Sequence, residues 1–72
     1  MNKEWLKCGF ILYGCGLEAE KYICRNMEML SYIEDCVDGY RNGYFHGNLI
    51  KKIEQIKDIS NRKILVASLP ET

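Results

Sequence analysis

The chain has 72 residues, 47% of them hydrophobic and 28% charged, with ten basic side chains balanced by ten acidic ones. A chain of this length has room for one small domain, residues 1–72, with a thin core, since domains of this size bury only about 60% of their unfolded surface. Zero net charge and no basic tract beyond Lys51 and Lys52 argue against holding a nucleic-acid backbone, and the apolar stretches fall short of the ~20 residues needed to span a bilayer.

The start, MNKEWLKCGF, has no long apolar region ahead of a small-residue cleavage site and does not read as a secretory signal. A cytoplasmic chain is therefore expected, with Cys8, Cys15, Cys24 and Cys36 reduced and most of them acting as small core hydrophobes. These four form no CxxC knuckle, and His46 is the only histidine, so the spacing points away from a structural zinc site.

Cys8 to Tyr13 is a nearly continuous apolar run closed by Gly14, the pattern of a strand covered on both faces. From Leu17 to Met29 the spacing turns helical, with Leu17, Ile23 and Met27 near one face and Glu18, Lys21, Arg25 and Glu28 largely off it. MLSYI, residues 29–33, reads as a second short strand ended by Glu34 and Asp35. Cys36 to Gly47 is irregular, rich in glycine and aromatic residues. Asn48, Leu49 and Ile50 either finish a minor strand or open the next helix, LIKKIEQIKDI, whose isoleucines form a stripe. Residues 63–68, KILVAS, read as the last strand.

Strand, helix, strand, minor strand, helix, strand implies an α/β domain with a small three-layer parallel sheet: three main strands, one minor strand and two helices. The first and last strands, the most apolar, are expected side by side, with the 29–33 strand outside the first. The sequence shows no repeat, linker or low-complexity run.

The chemical signal is Gly14-Cys15-Gly16-Leu17-Glu18-Ala19, a GxGxxA between a predicted strand and a predicted helix. In a dinucleotide-binding turn the first glycine makes the bend, the second lets a pyrophosphate approach the backbone, and the third small residue lets the helix lie close to the sheet. Gly14, Gly16 and Ala19 suit those roles. Cys15 and Leu17 complete the phosphate-facing turn, at a helix start whose dipole favours anions. Glu34, twenty residues beyond Gly14, stands where an acidic residue would take ribose hydroxyls, and Asp35 replaces it if the register slips by one. The plain alternative is that either carboxylate only ends a strand. A carboxylate there disfavours a 2′-phosphate and so favours NAD-like or nucleotide-sugar ligands over NADP.

ILYGCGLEAEKY, SYIEDC, FHGNLI, the KKIEQI segment and KILVAS together resemble the amino-terminal nucleotide-binding segment of a broad Rossmann-like group. That group includes bacterial nucleotide-sugar dehydratases and epimerases of surface-polysaccharide biosynthesis, and the sugar-binding domain that precedes sialic-acid-type sugar acyltransferases. The resemblance covers residues 10–68. It maps the glycine turn onto Gly14 to Ala19, the strand-ending acid onto Glu34, an F-x-G strand start onto Phe45 and Gly47, and the last strand onto Ala67 and Ser68. It implies a non-catalytic module binding a nucleotide-sugar or NAD, with chemistry supplied elsewhere.

Two features depart from the group. Glu18 puts a carboxylate at the helix mouth, and the chain stops where members of the group continue, as a domain fragment or reduced relative would. There is no YxxxK signature and no carboxylate dyad, so a self-contained enzyme is not expected. Cys15 is the one thiol placed for activation by a helix start, but no base is predicted beside it. His46 is expected to be structural, opening the minor strand. The small-molecule reading competes with a structural or protein-interaction module of the same fold that retains no ligand. The apolar last strand, lacking an outer neighbour, predicts a homodimer or docking within a larger parent enzyme.

Overall fold

A computed structural model describes residues 3–67 as an α/β fold built on a five-stranded mixed sheet. The strands are β1 (Phe10–Tyr13), β2 (Ile33–Val37), β3 (Tyr44–Phe45), β4 (Asn48–Lys51) and β5 (Ile64–Val66), arranged in the order β3-β4-β2-β1-β5. The contacts β4·β2, β2·β1 and β1·β5 are parallel, and β3 closes the far edge as an antiparallel hairpin with β4. As the sequence predicts, the first and last strands are neighbours and the second strand lies on the other side of the first.

Alternation along β1 divides the core. Phe10 and Leu12 join Leu6, Ala19, Ile23, Met29, Cys36 and Leu65 in one buried cluster, beneath α2 (Leu17–Arg25) and beside the short α1 (Lys3–Leu6). Ile11 and Val37 belong to a second, smaller cluster with Ile56, flanked by Tyr13, Ile59 and Ile64. The strand is covered on both faces, which is why it reads as an unbroken apolar run.

Two expected elements take other forms. Residues 29–32 are not a strand: α2 ends at Arg25, Asn26 caps it by donating to the Ile23 and Tyr22 carbonyls, and Met27–Tyr32 is a 3₁₀ helix that tucks Met29 into the core. β2 therefore starts at Ile33, about four residues later than the sequence suggests. Its register against β1 steps from Phe10↔Ile33 to Ile11↔Asp35, so Glu34 is bulged out of the ladder.

The predicted helix over 49–59 is also absent. His46 and Gly47, both with positive φ (48° and 84°), make the tight turn that folds β4 back on β3, and β4 then pairs with β2. Ile53, Ile56 and Ile59 recur every third residue, a spacing met here by 3₁₀ turns at Ile53–Gln55 and Ile59–Asn61 instead of an α-helix. The sheet face opposite α2 is thus covered by this irregular segment. The expected three main strands plus one minor strand become five strands, one of them antiparallel, and α2 stands without the second long helix.

Candidate functional site

Parallel strands β2, β1 and β5 all end toward the loops after Tyr13, Val37 and Val66, and the connections there surround a cleft. Gly14 leaves β1 with φ 99°, a conformation that L side chains rarely adopt, and its N–H donates to the Val37 carbonyl at 2.7 Å. The Ala67 N–H donates to the Tyr13 carbonyl at 2.8 Å and brings Ala67 to the same rim. α2 begins at Leu17 with Gly16 as its extended N-cap and no side-chain cap. The first amides of a helix lack an intrahelical partner, so the turn presents donors at the positive end of the helix dipole. Ala19 is fully buried and lets α2 settle on the sheet.

The acid at the end of the second strand is Asp38. Its Oδ2 accepts from the Cys15 N–H at 2.9 Å, and its Oδ1 accepts from the Tyr40 and Arg41 N–H groups at 2.8 and 3.0 Å. Burial alone would raise this carboxyl, but the three N–H donors and the Arg41 charge outweigh it and hold Asp38 below the usual carboxylate range. Lys52 fixes the outside of the same loop by donating through Nζ to the Asp38 and Arg41 carbonyls, both at 3.1 Å.

Around this frame lies a cleft of two open cavities. One, of about 340 Å³, is lined by Gly14, Gly16, Leu17, Glu18, Asp38, Tyr40, Arg41 and Ala67; the other, of about 330 Å³, by Tyr13, Gly14, Asp38, Gly39 and Tyr40. The Arg41 guanidinium lies over Gly16, where an added Cβ would sit 3.2 Å from its Nε. Glu18 is at the helix mouth as expected, paired with Lys21 at 3.4 Å.

The structure brings Gly14, Cys15, Gly16, Leu17 and Ala19 into one turn, but it leaves Glu34 beside the start of β1 and Asp35 midway along β2, opposite Ile11. Glu34 sits beside Gly9, ahead of β1, roughly 16 Å along the strand from Gly14 at ~3.3 Å per residue. Arg62 Nη2 lies 3.0 Å from both Glu34 Oε1 and Asp35 Oδ2, and Lys51 Nζ lies 2.7 Å from Asp35 Oδ1. Partial burial opposes ionisation of Asp35, yet the bonds to Lys51 and Arg62 prevail and lower its pKa. These two carboxylates tie β2 to Arg62, ahead of β5, and to Lys51, at the end of β4, and their bonds do not go to the glycine turn. The later start of β2 accounts for the displacement: the acid that follows this strand is Asp38, twenty-four residues after Gly14.

Cys15 is buried, with Sγ 3.7 Å from the Val37 carbonyl. The neighbouring Cys36 thiol, burial and the Asp38 charge push its thiol upward, so it is held as a protonated packing residue. His46 Nε2 lies 2.8 Å from Glu20 Oε2 and its ring stands edge-on to Phe45, tying the hairpin tip to α2. No set of three His, Cys, Asp or Glu side chains among the described residues could hold a metal ion, and none of their helices is long and apolar enough to cross a membrane.

No family model, curated protein or solved structure matches this chain.

Proposed function

We propose that this chain is a Rossmann-like, non-catalytic module that binds a nucleotide-sugar or an NAD-like dinucleotide at the carboxyl ends of β1, β2 and β5. The observation that carries this reading is the convergence, on one cleft, of a positive-φ glycine turn, the uncapped start of α2, and the Arg41 guanidinium lying over Gly16. Open parallel sheets bind ligands in the crevice beyond their strand ends, and backbone amides at a helix start suit a diphosphate. In this reading Asp38 takes the place assigned from sequence to Glu34. Three of its lone pairs are occupied by backbone N–H groups, which leaves room for one ribose hydroxyl.

That same occupancy, with Glu18 at the helix mouth, favours a second reading: an interaction module in which Asp38 only knits the turn and no ligand is retained. The chemistry of any parent enzyme would then lie in other sequence, and self-association would use the exposed edge of β5.

Titration with NAD, NADP, UDP, a UDP-sugar and acetyl-CoA, followed by backbone amide shifts, separates the two. Binding through this cleft moves Gly14, Gly16 and Leu17 first. If no nucleotide perturbs the turn at millimolar concentration, the interaction-module reading replaces the binding one.

A further inference from the structure

Tyr40 and Arg41 are adjacent on the loop after β2, and beyond the Arg41 charge acting on Asp38 neither side chain packs into the core. Tyr40 is 97% exposed, yet it lines both halves of the cleft and stands where they meet. At that meeting point the exposed ring offers an apolar face with a polar tip, the chemistry that Tyr brings to interfaces. Arg41 forms no ion pair among the described residues, whereas Lys7, Lys21, Lys51 and Arg62 all do. The backbone beneath this pair is held firmly: their N–H groups go to Asp38, and Lys52 clamps the Arg41 carbonyl. Two exposed side chains of complementary chemistry thus stand at the cleft on a loop whose backbone is held by Asp38 and Lys52.

Resting on the binding reading above, we propose that Tyr40 and Arg41 are the ligand-reading pair of this cleft, and that the ligand class is a nucleoside diphosphate group with its far phosphate esterified. The Arg41 guanidinium, a planar fork suited to phosphate oxygens, faces the diphosphate over Gly16. The Tyr40 ring offers a face on which the base stacks, in the half of the cleft lined by Tyr13 and Gly39. Charge sets the preference for an ester. Of the described side chains that line this rim, Asp38 and Glu18 are carboxylates, the latter paired with Lys21, and Arg41 is the one cation, so a diphosphate diester is opposed less than a nucleotide ending in a free phosphate, which carries more charge.

The test uses the full chain, with UDP-glucose, UDP, inorganic pyrophosphate and uridine as probes and amide shifts of Gly14 to Leu17 as the readout. UDP-glucose is expected to bind more tightly than UDP, and UDP more tightly than pyrophosphate. Tyr40→Ala should cost about tenfold in affinity for UDP-glucose and leave pyrophosphate unchanged, the size of a single stacked base. Arg41→Ala should weaken every phosphate-bearing probe by about tenfold, with partial recovery in Arg41→Lys. Because both side chains are exposed, the far-UV circular dichroism of each variant should match the parent, with Tm unchanged in Tyr40→Ala and lowered only slightly in Arg41→Ala, which removes the guanidinium charge acting on Asp38. If UDP-glucose moves the turn but neither substitution changes its affinity more than about twofold, the reading pair is wrong while the binding cleft stands. Tighter binding of UDP than of UDP-glucose would overturn the ester preference. If no probe moves the turn in the parent chain, the cleft reading fails and this proposal falls with it.

Discussion

Replacing Asp38 by asparagine tests whether this carboxylate, and not Glu34, organises the glycine turn. Asparagine keeps the shape but has one acceptor oxygen, so it can serve either the Cys15 N–H or the Tyr40 and Arg41 pair, and its NH₂ then opposes a backbone donor. Leaving such a donor unsatisfied at a buried position costs about 1–3 kcal/mol. A domain of this length has about 4–10 kcal/mol of total stability, so the loss is large, and Tm should fall by about 5–20 °C. The pH dependence carries the same signature. A carboxyl lowered on folding contributes its full stabilisation above its unfolded pKa of about 3.9 and loses it as pH falls through the folded value. Stability of the parent chain should therefore drop on acidification below that point, and Asp38→Asn should show a shallower fall, with the Asp35 contribution remaining. Thermal denaturation followed by circular dichroism between pH 2 and pH 7 measures both effects. A variant whose Tm stays within about 2 °C of the parent, with unchanged Cys15, Tyr40 and Arg41 amide shifts, would refute the assignment. So would a Glu34→Gln variant that disturbs the turn, since Glu34 is exposed and lies at the other end of the sheet.

Gly9→Ala should destabilise by about 1–3 kcal/mol, because φ there is 105° and the new methyl group meets the Glu34 carboxylate. A Glu34→Ala second change should recover the steric part only, as denaturant titration would show. In the native protein iodoacetamide should modify Cys8 and Cys24 and spare Cys15 and Cys36, with equal labelling of all four by mass spectrometry contradicting the packing. Glu18→Gln should tighten diphosphate binding by about 0.3–1 kcal/mol in calorimetry, by removing a charge that opposes the helix field. Sedimentation at low micromolar concentration should reveal a dimer if the exposed edge of β5 pairs, whereas a monomer with slow amide exchange over Ile64–Val66 would exclude that pairing.

The parts of the fold legible in the sequence are those where one pattern has one physical meaning. An unbroken apolar run closed by glycine makes β1, and a 3.6-residue stripe after Gly16 makes α2. β2 was hidden because two adjacent carboxylates interrupt it; Glu34 bulges outward, and both acids are neutralised by Arg62 and Lys51, partners distant in sequence. MLSYI has the composition of a strand, yet Asn26 ends α2 early and the segment closes its own backbone bonds as a 3₁₀ helix, a choice made by the packing of Met29. The isoleucines at 53, 56 and 59 fit a helix stripe in part, but their three-residue interval also fits 3₁₀ turns, and pairing of Asn48–Lys51 with β2 removes the residues that would have begun a helix.

The glycine turn was legible for a different reason. GxGxxA encodes backbone geometry directly, through a positive φ at Gly14 and a missing side chain at Gly16, so it does not depend on distant partners. The acid opposite it does depend on them, because its position is fixed by where β2 ends and not by a count of residues. Counting twenty from Gly14 reaches Glu34 at the wrong end of β2; following the strand to its carboxyl end reaches Asp38, already bonded to Cys15 inside the GxG turn. That bond ties the glycine turn to the loop after β2, and it makes the shape of the cleft and the stability of the turn depend on the same carboxylate.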